Sequence, residues 1–339
     1  MPTAEMAKIE KRMNDALKLE ALTYIYFARP TFEELGRKGE TSIRNGLREF
    51  GRFRGKAIKD WHTMERLPLN VESLLRYWDT GAAQMAGIYD STAVFTPYYV
   101  EHPVKSCVLH EVFKEEDWEQ YGYVFCDEIH AEICGAYNPN AIVQIHENLN
   151  KGDPRCFFKW MMIPEGRVSK SVYDHVNQLI RENPENYALD SLKRTTRVVG
   201  ALYYFLADSL IKDFGEKGKE LVTNSLRNLG RRRGEKIKAN LKREGKENTV
   251  GTVFGNCDLP YDILWKTKTI PSNEGSIIEV FQCPFAEVWH ELGKPKIGLM
   301  YCTAAYNALF EPLMQDVCVK VERCMMQGAT KCSLSFKRN

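Results

Sequence analysis

Ten residues in the first half of the chain carry an unusual density of reactive side chains: Phe125-Cys126-Asp127-Glu128-Ile129-His130-Ala131-Glu132-Ile133-Cys134. If helical, the segment places Cys126, His130 and Cys134 at i, i+4 and i+8, with Asp127 three residues before His130. A thiol, an acid and an imidazole then share one stripe. Such a set suits addition to an electrophilic C=N or C=O carbon, with Cys126 as nucleophile or proton donor and an imidazole as acid/base. Asp127 would orient the imidazole or hold a cationic nitrogen. His110 lies upstream and is the second acid/base candidate, because four of the seven histidines fall between residues 102 and 146. Glu132, Tyr137, Asn138 and His146 flank the cluster and are the candidate substrate-binding groups. If Cys126 sits near a helix start, its thiol should ionise easily. The same residues have a plainer reading, in which Cys126 is a small core residue and the histidines are satisfied core groups.

The elements that must position this cluster occur twice. Residues 35–58, LGRKGETSIRNGLREFGRFRGKAI, align without a gap on residues 214–237, FGEKGKELVTNSLRNLGRRRGEKI, at a constant 179. The identities include Gly36/Gly215, Gly39/Gly218, Gly51/Gly230, Arg54/Arg233 and Gly55/Gly234. Further on, Cys126, Gly152 and Cys156 match Cys302, Gly328 and Cys332 at a constant 176. A period near 180 is too long for a solenoid and implies two domains. We read copy A as residues 1–163, a linker as 164–189 and copy B as 190–339. Copy B has Thr303 and Tyr306 where copy A has Asp127 and His130. Allowing a three-residue gap, Cys283 falls opposite His110, and Glu322 falls opposite His146. Copy A is therefore expected to be the active half and copy B a diverged, structural half.

Each copy opens with a helical apolar rhythm, at Ile9, Met13, Ala16, Leu17, Leu19 and Leu22, and at Leu192, Val198, Val199, Leu202, Leu206 and Leu210. Second helices follow over about 40–60 and 218–243. Their glycine pairs, Gly51/Gly55 and Gly230/Gly234, lie on one face and imply close approach of another helix. Ser106–Val112, Ser276–Phe281, Ala141–Ile145 and Val317–Val321 read as strands, with Cys156–Trp160 and Cys332–Phe336 as second hairpin arms. The linker contains Pro164-Glu165-Gly166 and Asn183-Pro184-Glu185-Asn186. The fold class is α+β: two tandem copies of a domain with N-terminal helices followed by a small antiparallel sheet with helices.

Composition bounds the partners. A net charge of +2 favours neither polyanions nor a membrane surface. The basic stretch from Arg231 to Lys246 is interrupted by Glu235 and Glu244 and reads as a solvated helix face, not a nucleic-acid site. No apolar run has signal-peptide or membrane-spanning length, so the expected compartment is cytoplasmic. Ten cysteines without any C-x-x-C fit reduced, mostly buried thiols. No cofactor is expected. Zinc is the weaker alternative, since i, i+4, i+8 is not a familiar structural-zinc spacing. The H-x-E of His130–Glu132 lacks the P-C-x-x-C of zinc deaminases. The implied partners are a small-molecule substrate and, within the chain, the second copy as an internal pseudo-dimer.

Several motifs resemble a known family. They are Val280-Phe281-Gln282-Cys283-Pro284-Phe285-Ala286-Glu287, Met300-Tyr301-Cys302 and Gly328-Ala329-Thr330-Lys331-Cys332 in copy B, with Phe125-Cys126-Asp127, Tyr137-Asn138-Pro139 and Gly152-Asp153-Pro154-Arg155-Cys156 in copy A. These are similar to the family named for L-2-amino-thiazoline-4-carboxylic acid hydrolase, itself distantly like 4-vinyl reductase domains. Copy A departs from it in having His110 opposite the Cys-Pro-Phe cysteine, and copy B in having no Asn-Pro after its Cys302 helix. The resemblance implies hydrolysis of a C–N bond in a cyclic amidine- or imine-like, amino-acid-derived substrate. It implies as alternative a non-catalytic protein that binds a small hydrophobic or tetrapyrrole-like ligand, for which Tyr98, Tyr99, Trp118 and Tyr137 supply aromatic surface.

Overall fold

A computed structural model describes residues 3–164, 170–272 and 275–338. The apolar rhythm at the start of the chain produces one long helix, α1 (Ala4–Met64), which is broken at Gly36. Gly36 adopts φ +53° and ψ −134°, a conformation that costs glycine little and other residues much. The two arms fold back on one another, so that the Gly39 α-carbon lies against the Thr31 carbonyl and Arg54 reaches Glu20. The second copy repeats the device. Helix α7 (Pro184–Arg243) breaks at Gly215 with φ +56° and ψ −125°, and Gly218 lies against the Leu210 carbonyl.

After α1 come α2 (Val71–Arg76) and α3 (Gly81–Met85), then β1 (Asp90–Ser91), β2 (Val94–Thr96) and β3 (Tyr99–Ser106). Helices α4 (Val108–Glu115) and α5 (Glu119–Tyr137) follow, then β4 (Ala141–Glu147) and β5 (Cys156–Met162). All pairings are antiparallel, in the order β1-β3-β5-β4, with β2 also on β3. On β5, Cys156, Phe158, Trp160 and Met162 alternate inward against the helices. In the 164–189 segment, Glu165 and Gly166 lie outside the described residues, α6 (Asp174–Glu182) occupies the middle, and Pro184 takes the first turn of α7.

The second copy continues with α8 (Val250–Gly255), α9 (Tyr261–Leu264), β6 (Lys266–Ser272), β7 (Gly275–Gln282), α10 (Pro284–Glu291), α11 (Pro295–Phe310), β8 (Val317–Arg323) and β9 (Cys332–Arg338). Its sheet runs β6-β7-β9-β8, again antiparallel. From β3 and β7 onward the element starts keep the 176 offset, from Tyr99/Gly275 through Val108/Pro284 and Ala141/Val317 to Cys156/Cys332. Strand register agrees as well: His102 faces Phe158, and Ile278 faces Leu334. Gly152 and Gly328 close equivalent turns at φ +90° and +85°. The α+β architecture in two copies is therefore as expected.

Two sequence expectations are corrected here. Ser106–Val112 is not a strand: β3 ends at Ser106, and α4 starts at Val108, with Cys107 as its cap residue. The apolar run belongs to a short amphipathic helix whose buried face is Val108, Leu109, Val112 and Phe113. The three-residue gap lies earlier in the chain than supposed, so the residue opposite Cys283 is Cys107, not His110. Each cysteine caps the helix that follows its strand.

The chain forms two compact units, one of Met1–Ala21 with Arg44–Val198, the other of Leu22–Ile43 with Val199–Asn339. They do not coincide with sequential halves. The turn of α1 belongs to the second unit, where Phe27 stacks edge-on against Tyr203 and Ser42 bonds Ser209. The start of α7 belongs to the first, where Ser191 and Arg194 bond the backbone carbonyl of Asp79.

The glycine pairs are contact points between helices. A Cβ on Gly55 would stand 2.4 Å from the Ile133 carbonyl of α5, and one on Gly234 would stand 2.1 Å from the Leu309 carbonyl of α11. Backbone cannot yield as a side chain can. Gly55→Ala should therefore destabilise the protein by about 1–3 kcal/mol, against the ~1 kcal/mol that alanine gains as a helix former. A urea midpoint equal to or above that of the parent would disprove the contact.

Candidate functional site

The first unit contains a cavity of about 140 Å³. Its floor is the inward face of the sheet, with Val104 and His102 on β3 and Cys156, Phe158 and Trp160 on β5. Helix α5 contributes Phe125, Ile129 and His130, and the two arms of α1 contribute Leu17, Glu20 and Arg54. The segment from Leu75 to Ser91 and Cys107 complete the wall.

One end of the cavity is built on a buried ion pair. Arg54 donates from Nε and Nη2 to the two carboxylate oxygens of Asp79, both at 2.8 Å. Its Nη1 reaches Glu20 Oε1 at 3.4 Å. All three side chains are almost wholly buried. Burial raises the Glu20 carboxyl to about 7, although Arg54 pulls it down; Asp79 adds to the rise. Among the described residues Glu20 has no hydrogen-bond partner besides Arg54. Tyr89 lines the same end, with its phenol pushed far up by burial.

The other end is imidazole and aromatic. His130 Nδ1 lies 2.7 Å from the Cys126 carbonyl. A carbonyl only accepts, so Nδ1 carries the hydrogen and Nε2 keeps its lone pair. Trp78, Phe158 and Trp160 surround the ring, with centroids 6.3, 4.9 and 5.9 Å away. Burial lowers His130 to about 4, and it does the same to His102, so both are neutral at pH 7. Among the described residues, neither ring nitrogen of His102, nor Nε1 of Trp160, has a hydrogen-bond partner. Three unpartnered buried polar atoms in one cavity are the pattern expected where a ligand or water completes the bonding.

The structure divides the residues expected from the sequence. His130 lines the cavity, whereas Cys126, Asp127 and His110 do not. Cys126 lies seven residues into α5, not at its start, and burial drives its thiol up instead of down. Asp127 faces outward to Lys151 at 3.4 Å, and His110 Nδ1 is 2.8 Å from Asn150 Oδ1. The helical spacing of the stripe is as expected, but only its His130 edge faces open space. Among the flanking candidates, Glu132 pairs with Arg52 across the α1–α5 contact. Tyr137 is buried against His62, and Asn138 holds the Leu69 carbonyl and the Asn140 amide. His146 is exposed in the β-bulge of β4. None of these four lines the cavity.

Sequence reasoning missed Glu20, Arg54, Asp79, Trp78, His102 and Cys107. The signals were present. Glu20 interrupts the buried stripe of Ala16, Leu17 and Leu19, and the 179 register that pairs Arg54 with Arg233 also pairs Asp79 with Asp258. Cys107, at the Cys283 position, removes the departure of copy A from the Cys-Pro-Phe pattern.

The second unit repeats the ion pair and sets different residues at the positions that line the cavity in the first. Arg233 bonds both oxygens of Asp258, at 2.8 and 2.6 Å, and its third partner is Tyr301 Oη at 2.8 Å. Val199 stands at the Glu20 register position, Ile278 at that of His102 and Tyr306 at that of His130. Tyr306 Oη is 2.5 Å from Tyr261 Oη. Tyr301 also packs against Phe285, Trp289 and Tyr203.

No group of three or more His, Cys, Asp or Glu side chains placed to hold a metal ion occurs among the described residues. Nor is any described helix long and apolar enough to cross a membrane. No curated protein and no solved structure matches the chain. A family model described as L-2-amino-thiazoline-4-carboxylic acid hydrolase does match, over residues 16–160 and again over 193–336. The two matches bracket the repeats found by internal comparison and cover most of the chain, which thus belongs, as a tandem duplicate, to the L-2-amino-thiazoline-4-carboxylic acid hydrolase family.

Proposed function

We propose that the first unit hydrolyses a C–N bond in a small cyclic amidine or imine derived from an amino acid, within the cavity that His130 lines. The observation that carries this reading is His130 itself, which lines the cavity with its Nδ1 held by the Cys126 carbonyl, the tautomer that leaves Nε2 a lone pair for a base. The family match supplies the reaction class.

In this reading water is the nucleophile. His130 Nε2 takes a proton from water as the oxygen bonds to the C=N carbon. The tetrahedral adduct then collapses. The imidazolium gives its proton to the nitrogen of the adduct; as the C–N bond breaks, the hydroxyl proton passes through Nε2 to the departing nitrogen, and the carbon is left as a carbonyl. An imidazole near 4 is a weak base and a strong acid, which favours the second half of this cycle. The orphaned donors of His102 and Trp160 Nε1 are suited to the developing oxyanion and to the ring heteroatoms. The thiols are assigned no covalent role. Burial holds Cys107 near 12 even though the amides of His110 and Leu109 pull it down, and the second unit keeps the same cysteine in the absence of the imidazoles.

His130→Asn should lower turnover of 2-amino-thiazoline-4-carboxylate by about 10²-fold or more while leaving ring binding nearly intact. Cys126→Ser and Asp127→Asn should stay within about threefold of the parent. Ring binding with no turnover in the parent protein would instead identify a non-catalytic ligand carrier.

The buried histidines also set an acid limit on stability. His62, His102 and His130 are each lowered to about 4 by burial, from an ordinary 6.5. Their stabilising contribution is complete above pH 6.5 and is lost as pH falls toward 4, because the unfolded chain binds the protons first. Glu20, raised to about 7, acts oppositely, but it is one group against three. The urea midpoint should therefore fall steadily between pH 6.5 and 4, and a flat profile would show that these imidazoles are solvated.

A further inference from the structure

The charges that line the cavity do not balance. The Arg54 guanidinium is matched by Asp79 through two short bonds, so that pair is neutral overall. Glu20 is the carboxyl left over, joined to Arg54 only by a 3.4 Å contact and otherwise facing the cavity. Arg54 is the one cation among the described residues that line the cavity; Arg194, which bonds the Asp79 carbonyl and interacts with its carboxylate, does not line it. Tyr89 lines the same end; His102 and His130 lie across the cavity on β3 and α5, and Cys107 and Cys156 complete the wall. Both imidazoles are neutral, and the phenol and thiols are protonated. An ionised Glu20 thus gives the cavity one uncompensated negative charge. The aromatic lining is also suited to cations: the Arg54 guanidinium already lies 5.6 Å from the Trp78 ring centroid, and Phe158 and Trp160 line the cavity beside it. In the second unit Val199 stands where Glu20 would be, and Tyr301 takes the third bond of the arginine, which leaves no spare carboxyl.

We infer that Glu20 is the specificity-determining residue of the site: it pairs with the cationic amidinium of the substrate, so the cavity selects protonated amidines and guanidines over neutral isosteres and releases a proton from Glu20 on binding them. The inference rests on the proposed function for the identity of the cavity as the site. It also accounts for a base as weak as His130, because a protonated amidine carbon is the more electrophilic partner.

The test uses the full chain with two rings of one shape. 2-Amino-2-imidazoline remains a cation throughout the pH range used, and 2-imidazolidinone is its neutral isostere. Calorimetry in phosphate and in Tris counts the protons released. The parent should bind the cation at least about 10-fold more tightly than the neutral ring and release roughly half a proton at pH 7. Affinity for the cation should rise about 30-fold from pH 5.5 to 8, with no change for the neutral ring. Glu20→Gln should remove the preference, the proton release and the pH dependence, and leave binding of the neutral ring within about threefold. A cation preference that survives in Glu20→Gln overturns the inference, as does a parent that binds the cation without releasing a proton. So does failure of the parent to bind the cation. The proton count needs no variant, so misfolding of Glu20→Gln cannot hide the outcome. Full turnover by His130→Asn would instead sink the proposed hydrolysis and leave the binding result to stand on its own.

Discussion

The bidentate pair of Arg54 and Asp79 is the interaction on which the first unit depends. It ties the second arm of α1 to the segment that follows α2, and a branch of backbone bonds from Ser191 and Arg194 fastens Asp79 to the start of α7. A buried guanidinium is costly unless its charge and its donors are met. Here Nε, Nη1 and Nη2 all have acceptors, and the Asp79 carboxylate also takes the Thr80 amide. Loss of Asp79 would leave the buried cation with only the 3.4 Å contact of Glu20 and two unmet donors, a change of several kcal/mol in most proteins. The pair therefore acts as a fixed base, and the third arginine bond is the place where the two units differ.

That difference makes the chain its own control. Both units have the same broken helix, the same glycine contacts, the same sheet register and the same ion pair. Against this constant frame, Glu20 is replaced by Val199, His102 by Ile278, His130 by Tyr306 and Phe125 by Tyr301. Each change removes a titratable group or adds aromatic bulk. Tyr301 then supplies the arginine with a neutral partner, and the Tyr306–Tyr261 contact closes space that His130 leaves open in the first unit. The same fold is packed once around an open polar cavity and once around an aromatic cluster.

The frame was largely legible in the sequence, because it rests on local periodicity and on residues with no substitute. Gly36/Gly215 and Gly55/Gly234 stand out in a gapless repeat since only glycine serves at a positive φ or at a helix crossing. Strands β4, β5, β8 and β9 alternate clearly enough to be read. The site was less legible, for two physical reasons. Helical spacing says which residues share a stripe but not which edge of the stripe meets open space, so Cys126 and Asp127 were grouped with His130 although only His130 reaches the cavity. A register also fails silently at a gap. A shift placed after Cys107 puts His110 opposite Cys283 and conceals Cys107, whereas the elements keep the 176 offset from β3 onward. His102 was invisible for another reason: a lone histidine on a strand face differs from an apolar residue only when its nitrogens lack partners, and that is a property of packing.

The cysteines follow from the same comparison. Cys107, Cys126 and Cys156 recur as Cys283, Cys302 and Cys332, all at the 176 offset. A reactive thiol needs a field that favours the thiolate, from a cation or well-aimed amides in a partly wet site. In the first unit burial pushes all three thiols the other way, and in the second it does so for Cys283, while at Cys332 the hydrogen bond with neighbouring Cys324 raises the thiol most and burial adds to it. Two of them cap helices, and Cys156 and Cys332 accept the backbone amides of Leu149 and Met325 at equivalent turns. Cys283 also accepts the Ala286 amide, so three of the six thiols serve as small, weakly polar acceptors and all six as small residues at equivalent positions. Retention in both units therefore points to packing, whereas the Glu20 carboxyl and the two neutral imidazoles around the cavity occur in the first unit alone and are the groups on which the proposed chemistry rests.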